Sequence, residues 1–269
     1  MNDYPSNVKE KLNFIISDMA NPHWLFANRP GHDFMRQNHG KLSFYDTMRL
    51  IISMGKGNTN DEIMDYFDLD PDRIPSQSAF NQRRTQISLS AFEYLFSEFS
   101  SAFPATTNTF KDHCILACDG CHLVYTTNSE IIEDFNKPHL IDYKGYNHMH
   151  LNGFVDVVSK AFIDVVIQPG QKPDERQALH IMLDHFQPDE PSKYIITADR
   201  GYESYDLLFH CELKHLSYVF RVKAPSSPKS ILSYYKNELP DEQDELDVTV
   251  SLQTKRRILC GVNLMFIVI

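Results

Sequence analysis

Two aspartates stand where charge is ordinarily excluded. Asp119 follows the apolar run Ile115-Leu-Ala-Cys118 and precedes Gly120. Asp199 closes the run Tyr194-Ile-Ile-Thr-Ala198 and precedes Arg200-Gly201-Tyr202. A carboxylate within a buried strand is costly unless it is paired or coordinates a metal. Two of them at matched positions suggest a divalent-metal site, because hard cations such as Mg²⁺ take carboxylate oxygens. The competing reading is structural: an Asp199–Arg200 ion pair and a turn at Asp119-Gly120.

Other reactive side chains are less convincing. Cys114, Cys118 and Cys121 have C-x3-C-x2-C spacing, which can bind an iron–sulfur cluster. If the segment is a strand, its side chains alternate, so Cys114 and Cys118 face one side and Cys121 the other. Three thiolates then fail to converge, and buried structural cysteines are expected. Of the twelve histidines, His148 with His150 and His180 with His185 lack the i, i+4 spacing around a Glu that marks a zinc site.

The elements that must position Asp119 and Asp199 follow from periodicity. Up to about residue 103 the pattern is helical. Helix starts are expected at Ser6, at Ser43 with Asp46, at Thr59 with Glu62 and at Ser90 with Glu93, each followed by apolar residues at helical spacing. A polar stretch after Pro104 reads as a linker. From Cys114 onward strands are expected at Cys114–Leu123, His150–Val158 and Ala161–Ile167, with Ser159-Lys160 between the last two as a hairpin turn. A helix at Asp174–Phe186, a strand at Tyr194–Asp199, a helix at Ser204–His215 and a strand at Ser217–Lys223 follow. This β-β-β-α-β-α-β order fits an α/β protein with a mixed sheet and flanking helices, preceded by an all-α N-terminal region. A last strand is expected at Val248–Gln253.

One helix pair resembles a DNA reader. After Thr59–Phe67, the segment Ser76–Ile87 carries Gln77, Asn81, Gln82, Arg83 and Arg84 beside Ala79, Phe80 and Ile87. A major-groove helix needs that mixture. An ordinary helical hairpin with a solvated face explains it as well, and residues 1–110 hold 10 basic against 13 acidic side chains.

Composition bounds the rest. The 269 residues are 42% apolar and 12% aromatic, enough for a sizeable core and for one or two domains. A net charge of −10 excludes a polybasic chain, though local patches still allow nucleic-acid binding. The N-terminus lacks a signal peptide's apolar core. The most apolar run, Ile258–Ile269, is too short for the roughly twenty residues of a membrane span. Five scattered cysteines suit a reduced cytoplasmic chain.

With Ala117-Cys-Asp119-Gly-Cys-His on the first strand and Thr197-Ala-Asp199-Arg-Gly-Tyr202 on the fourth, the sequence resembles the DDE transposases of bacterial insertion sequences, most closely the insertion sequence four group. Asn58-Thr-Asn-Asp-Glu-Ile-Met64, Leu151-Asn-Gly-Phe154 and Phe220-Arg-Val-Lys223 support it, and the likeness covers roughly residues 40–255. It implies three regions: a helical DNA-binding region at 1–104, a ribonuclease H-like catalytic core at 110–225, and at 226–269 the start of a β-rich insertion. It further implies that Asp119 and Asp199 are catalytic acids holding Mg²⁺, with Mn²⁺ as a substitute, for in-line attack on a DNA phosphodiester. Gln82, Arg83, Arg84, Arg200 and Tyr202 are then DNA-contacting residues. Transposon ends and target DNA are the implied partners, with a homodimer on DNA, in the bacterial cytoplasm at the nucleoid.

The sequence departs from the family at its end. The family's third acid is a Glu in a Tyr-x2-Arg-x3-Glu-x6-Lys pattern on a late helix, and residues 223–269 contain no such pattern. The chain is therefore expected to be C-terminally truncated, frame-shifted or a fragment, and catalytically weak. Glu203, four residues after Asp199, is poorly placed to substitute. The alternatives are a non-catalytic remnant that still binds DNA and an unrelated metal-dependent nuclease with the same core.

Overall fold

A computed structural model describes residues 4–34, 41–103, 109–137, 144–234, 237, 245–254 and 257–267, with backbone only for 245–267. The linker expected after Pro104 lies largely outside the described residues. The chain divides into two compact units, Met1–Phe103 and Pro104–Ile269.

The first unit contains five α-helices among its described residues: α1 (Tyr4–Ala20), α2 (Phe44–Ser53), α3 (Thr59–Tyr66), α4 (Gln77–Arg84) and α5 (Leu89–Ser101). Their starts follow capping chemistry. Ser43 and Asp46 form the expected capping box, each side chain bonding the other's backbone N–H. Three expected starts are displaced. Helix α1 begins at Tyr4, so Ser6 lies inside it. Asn58 rather than Thr59 caps α3, accepting from the N–H groups of Asn60 and Asp61. Glu62 turns back instead to the N–H groups of Gly55 and Gly57, at 2.9 and 2.8 Å. Ser88, not Ser90, precedes α5. At α3 the neighbouring Asn58 takes the N-terminal N–H groups that Thr59 was expected to cap, whereas the Ser88 side chain makes no cap hydrogen bond. Two apolar clusters close the unit. One gathers Ile16, Met19, Phe34, Phe44, Met48 and Leu95. The other gathers Leu42, Leu50, Ile63, Phe67 and Phe80.

The second unit is built on β1 (Cys114–Tyr125), β2 (Phe135–Asn136), β3 (Tyr146–Asp156), β4 (Phe162–Pro169), α6 (Glu175–His185), β5 (Tyr194–Ala198), α7 (Tyr205–Leu213) and β6 (Ser217–Phe220). β3 pairs antiparallel with β1 and β4, while β5 runs parallel to both β1 and β6. The lateral order is β4-β3-β1-β5-β6, with the two-residue β2 beside β4 on the same edge of β3. This mixed sheet with flanking helices is consistent with the ribonuclease H-like expectation. The expected two-residue hairpin turn is longer. Buried Asp156 ends β3 and accepts from the N–H groups of Val158 and Ser159 and from the Ser159 hydroxyl, winding the chain into a compact loop before β4.

Side-chain alternation divides the sheet. Leu116, Cys118, Phe154, Ile196 and Ala198 pack against Ala178, Leu179 and Met182 of α6 and Leu207 of α7. The opposite face carries Phe162, Ile167 and Val219, which are 46%, 60% and 64% exposed. Beyond this sheet, β7 (Glu245–Thr254) pairs antiparallel with β8 (Arg257–Ile267). The apolar C-terminal run is thus a second strand where only the first was expected.

Candidate active site

Parallel pairing of β1 with β5 brings the two aspartates together. The last registered pair is Cys118 with Ala198, and the next residues are Asp119 on β1 and Asp199 just past the end of β5. β5 ends there while β1 continues to Tyr125, so β1 beyond Cys118 has no strand partner on the β5 side. Crevices at the carboxyl ends of parallel strands are where open α/β sheets bind ligands.

Both carboxylates are exposed, and each is held by the glycine motif that follows it. Gly120 N–H donates to Asp119 Oδ1 at 2.8 Å, and Gly201 N–H donates to Asp199 Oδ1 at 2.7 Å. The Asp199–Arg200 ion pair of the competing reading is not among the ion pairs of the described residues, and Asp119 lies in a strand rather than a turn. Among the described residues, no Lys or Arg forms an ion pair with either acid. Two exposed carboxylates without a cationic partner offer hard oxygen donors to a divalent cation, so the residues fit such an ion in kind. Still, no three His, Cys, Asp or Glu side chains among the described residues are close enough together to hold one ion.

The glycines keep this space open. A Cβ on Gly201 would lie 3.0 Å from Asp199 Oδ1 and 2.6 Å from Glu175 Oε2. A Cβ on Gly120 would lie 2.6 Å from His150 Nε2 and 3.0 Å from Glu175 Oε1. Glu175, in the first turn of α6, therefore borders both glycines, and His150, on β3, borders Gly120 with its Nε2 3.4 Å from Glu175 Oε1. Spacing gave no signal for either, because an acid in the first turn of a helix is ordinary dipole chemistry and His150 lies in a histidine-rich strand. His122 rests its ring 4.7 Å from those of His148 and His150, and partial burial together with these two neighbours lowers its pKa.

The remaining expected residues are scattered. Tyr202 does not reach the surface. It is fully buried, and its hydroxyl donates to Asn152 Oδ1 at 3.2 Å. Burial raises its phenol pKa, with Cys118 adding to the effect. Arg200 is exposed, and its carbonyl accepts from Lys223 Nζ at 2.7 Å. Glu203 is 2% exposed and holds Lys223, accepting from its backbone N–H, with Nζ 3.4 Å from Oε1. Its carboxylate thus pins the loop after β5 to the chain after β6. Cys114 and Cys118 are buried on the helix-covered face and Cys121 is exposed on the other, as strand alternation requires. Burial pushes the Cys118 thiol up to about 12, and the charges of Asp119, Glu175 and Asp199 add to it.

In the first unit, Gln82, Arg83 and Arg84 lie on α4. Arg83 sits 5.2 Å from the Phe34 ring centroid and bonds Gln86 Oε1 at 3.1 Å, while Arg84 sits 5.8 Å from that of Phe80. Gln82, Arg83 and Gln86 line a cavity of about 750 Å³ with Lys41 and His32.

Comparison with known proteins places residues 111–260, more than half of the chain, in the family described as "Transposase DDE domain". No curated protein sequence matches. Among solved structures, a chain of the Drosophila P element transposase strand transfer complex is similar at 13% identity with a TM-score of 0.25. The match covers 66% of this chain and 45% of that one, so the chain spans less than half of that protein's length.

Proposed function

Because the chain belongs to the transposase DDE domain family, we propose that its second unit cuts and joins DNA at Asp119 and Asp199 during transposition. The observation that carries this reading is the register of β1 and β5, which sets two exposed carboxylates without a cationic partner at the end of β5, one on β1 and one just past β5. Asp119 and Asp199 would hold Mg²⁺ or Mn²⁺ through the oxygens that Gly120 and Gly201 leave free. Bound there, the ion supplies activation of a water or 3′-hydroxyl and stabilisation of the leaving oxygen. The two glycine N–H groups orient the acids before any ion arrives, and pre-set geometry of this kind is where phosphoryl transfer gains most of its rate. DNA is the proposed partner, with α4 as its reader in the first unit. The insertion sequence four group is the proposed branch of the family.

A second reading is favoured by one observation, the lack of a third group within ligating distance of the pair. It makes the protein a DNA-binding relative that occupies transposon ends without cutting them. A nicking assay on duplex transposon ends in Mg²⁺ and in Mn²⁺ separates the two. Metal-dependent nicking that Asp119→Asn and Asp199→Asn each reduce by more than about 100-fold supports catalysis, since loss of a mere outer partner of a metal ligand already costs about 10- to 100-fold. Binding without nicking supports the second reading. Nicking that survives both substitutions overturns the site.

A further inference from the structure

We propose that Asn152 is a positioning residue for Asp199, the hub of a closed hydrogen-bonded circuit that fixes the chain after β5. The inference rests on the reading of Asp199 as an acid of the site, and it concerns how that carboxylate is held rather than what it binds.

The circuit runs through four elements. Asn152 lies on β3, opposite Gly120 of β1, and is fully buried. Its Oδ1 accepts from the Tyr202 hydroxyl at 3.2 Å, and its Nδ2 donates to Gln168 Oε1 of β4 at 3.3 Å. Gln168 grips the start of α6, its Oε1 accepting from the Asp174 N–H and its Nε2 donating to the Asp174 carbonyl, both at 3.0 Å. From the first turn of α6, Arg176 Nε donates to the Gly201 carbonyl at 3.3 Å. Gly201 is joined covalently to Tyr202, and the circuit closes there.

The turn that carries Asp199 is what this circuit holds. Gly201 N–H donates to Asp199 Oδ1 at 2.7 Å, and Tyr202 N–H donates to the Asp199 carbonyl at 3.2 Å. These two donors belong to the two tethered residues, Gly201 through Arg176 and Tyr202 through Asn152. Glycine has wide backbone freedom, so the Gly201 N–H would aim the carboxylate poorly without both tethers. Asn152 reaches both arms because β3 lies between β1 and β4.

Core packing alone does not call for these side chains. A buried carboxamide costs free energy unless it is hydrogen-bonded, and apolar groups in place of both partners fill a core without that cost. Here the bonded groups run from Asn152 to the Asp199 turn by two separate routes, one through Tyr202 and one through Gln168 and α6. A functional carboxylate needs such support from residues that are themselves locked.

The test is hydrogen exchange of the Gly201 amide in the full chain, read by NMR on ¹⁵N-labelled protein. Asn152→Leu and Tyr202→Phe are each expected to speed that exchange at least about tenfold by local opening of the turn. Leu183→Ala truncates a fully buried residue of α6 outside the circuit and serves as the control for lost stability. It is expected to leave Gly201 exchange within about twofold of wild type. Tyr202→Phe removes only a hydroxyl and carries the test should Asn152→Leu fail to fold, which circular dichroism checks. If Gly201 exchanges as in wild type in the folded circuit variants, or as fast in Leu183→Ala as in them, the inference is overturned and Asn152 is a core residue only. Neither result bears on the chemistry of Asp199, which the nicking assay tests separately.

Discussion

Asp199 and Tyr202 are three residues apart and do opposite work. Asp199 is exposed and pays little for its charge. Tyr202 is wholly buried and anchors the loop that carries Asp199 to Asn152 on β3. Substitution separates the two roles. Asp199→Asn is expected to leave stability within about 0.5 kcal/mol, as for other surface changes. Tyr202→Phe strips Asn152 Oδ1 of its buried donor and is expected to cost about 1–3 kcal/mol. Urea unfolding of the two variants measures the contrast, and equal midpoints would overturn it.

Two elements beyond the crevice invite measurement. On α4, Arg83 and Arg84 stack against Phe34 and Phe80 rather than standing free. Such contacts contribute about 0.5–1 kcal/mol each at exposed sites, so the double Ala variant should lose stability modestly. If α4 reads DNA, the variant also loses affinity for transposon ends and shows a shallower salt dependence in a fluorescence anisotropy titration. Unchanged binding at every salt concentration assigns recognition elsewhere.

Helices α6 and α7 are joined by a four-member chain. His180 and His210 face each other with Nδ1 atoms 3.3 Å apart, and their Nε2 atoms reach Asp206 at 2.9 Å and Asp184 at 3.0 Å. The Nδ1 contact is a hydrogen bond only while one ring donates and the other accepts, and a further proton sets two N–H groups against each other. Burial lowers the pKa of His210 below its ordinary 6.5, with the charge of Asp184 opposing in part. The folded state thus binds this proton more weakly than the unfolded chain. Its contribution is present above the ordinary imidazole range and is lost as pH falls through the lowered value. The stability gap between wild type and His210→Gln, read by urea unfolding, should narrow from about pH 7.5 to pH 5. A gap independent of pH would rule out this coupling.

At the scale of the molecule, each unit closes around apolar residues of its own. Met48 and Leu116 are both fully buried, one in each unit. Truncating either to Ala should cost about 2–5 kcal/mol. Guanidinium unfolding is expected to proceed in two steps, with Met48→Ala moving one and Leu116→Ala the other. A single transition shifted alike by both would show that the units unfold together. With a net charge of −10, any DNA contact depends on local patches rather than on the chain's overall field.

Much of this was legible in the residues themselves. Period-2 runs marked the strands from Cys114 to Phe220, helical spacing marked α6 and α7, and the charge in Ile115–Asp119 and Tyr194–Asp199 singled out two acids from thirty-six. These signals are local: they need only alternation, capping and the cost of a carboxylate beside apolar neighbours. The start of α3 slipped by one residue because Asn58, beside Thr59, takes the same N–H groups. The long-range relations came only with the folded chain. The parallel register aligned Asp119 with Asp199, the tether from Arg176 to Gly201 drew the first turn of α6 to the loop after β5, and packing took Tyr202 into the core. None is encoded in spacing along the chain. Each depends on which strand lies beside which and how far a helix is drawn across the sheet, and those are set by the collective burial of the apolar face.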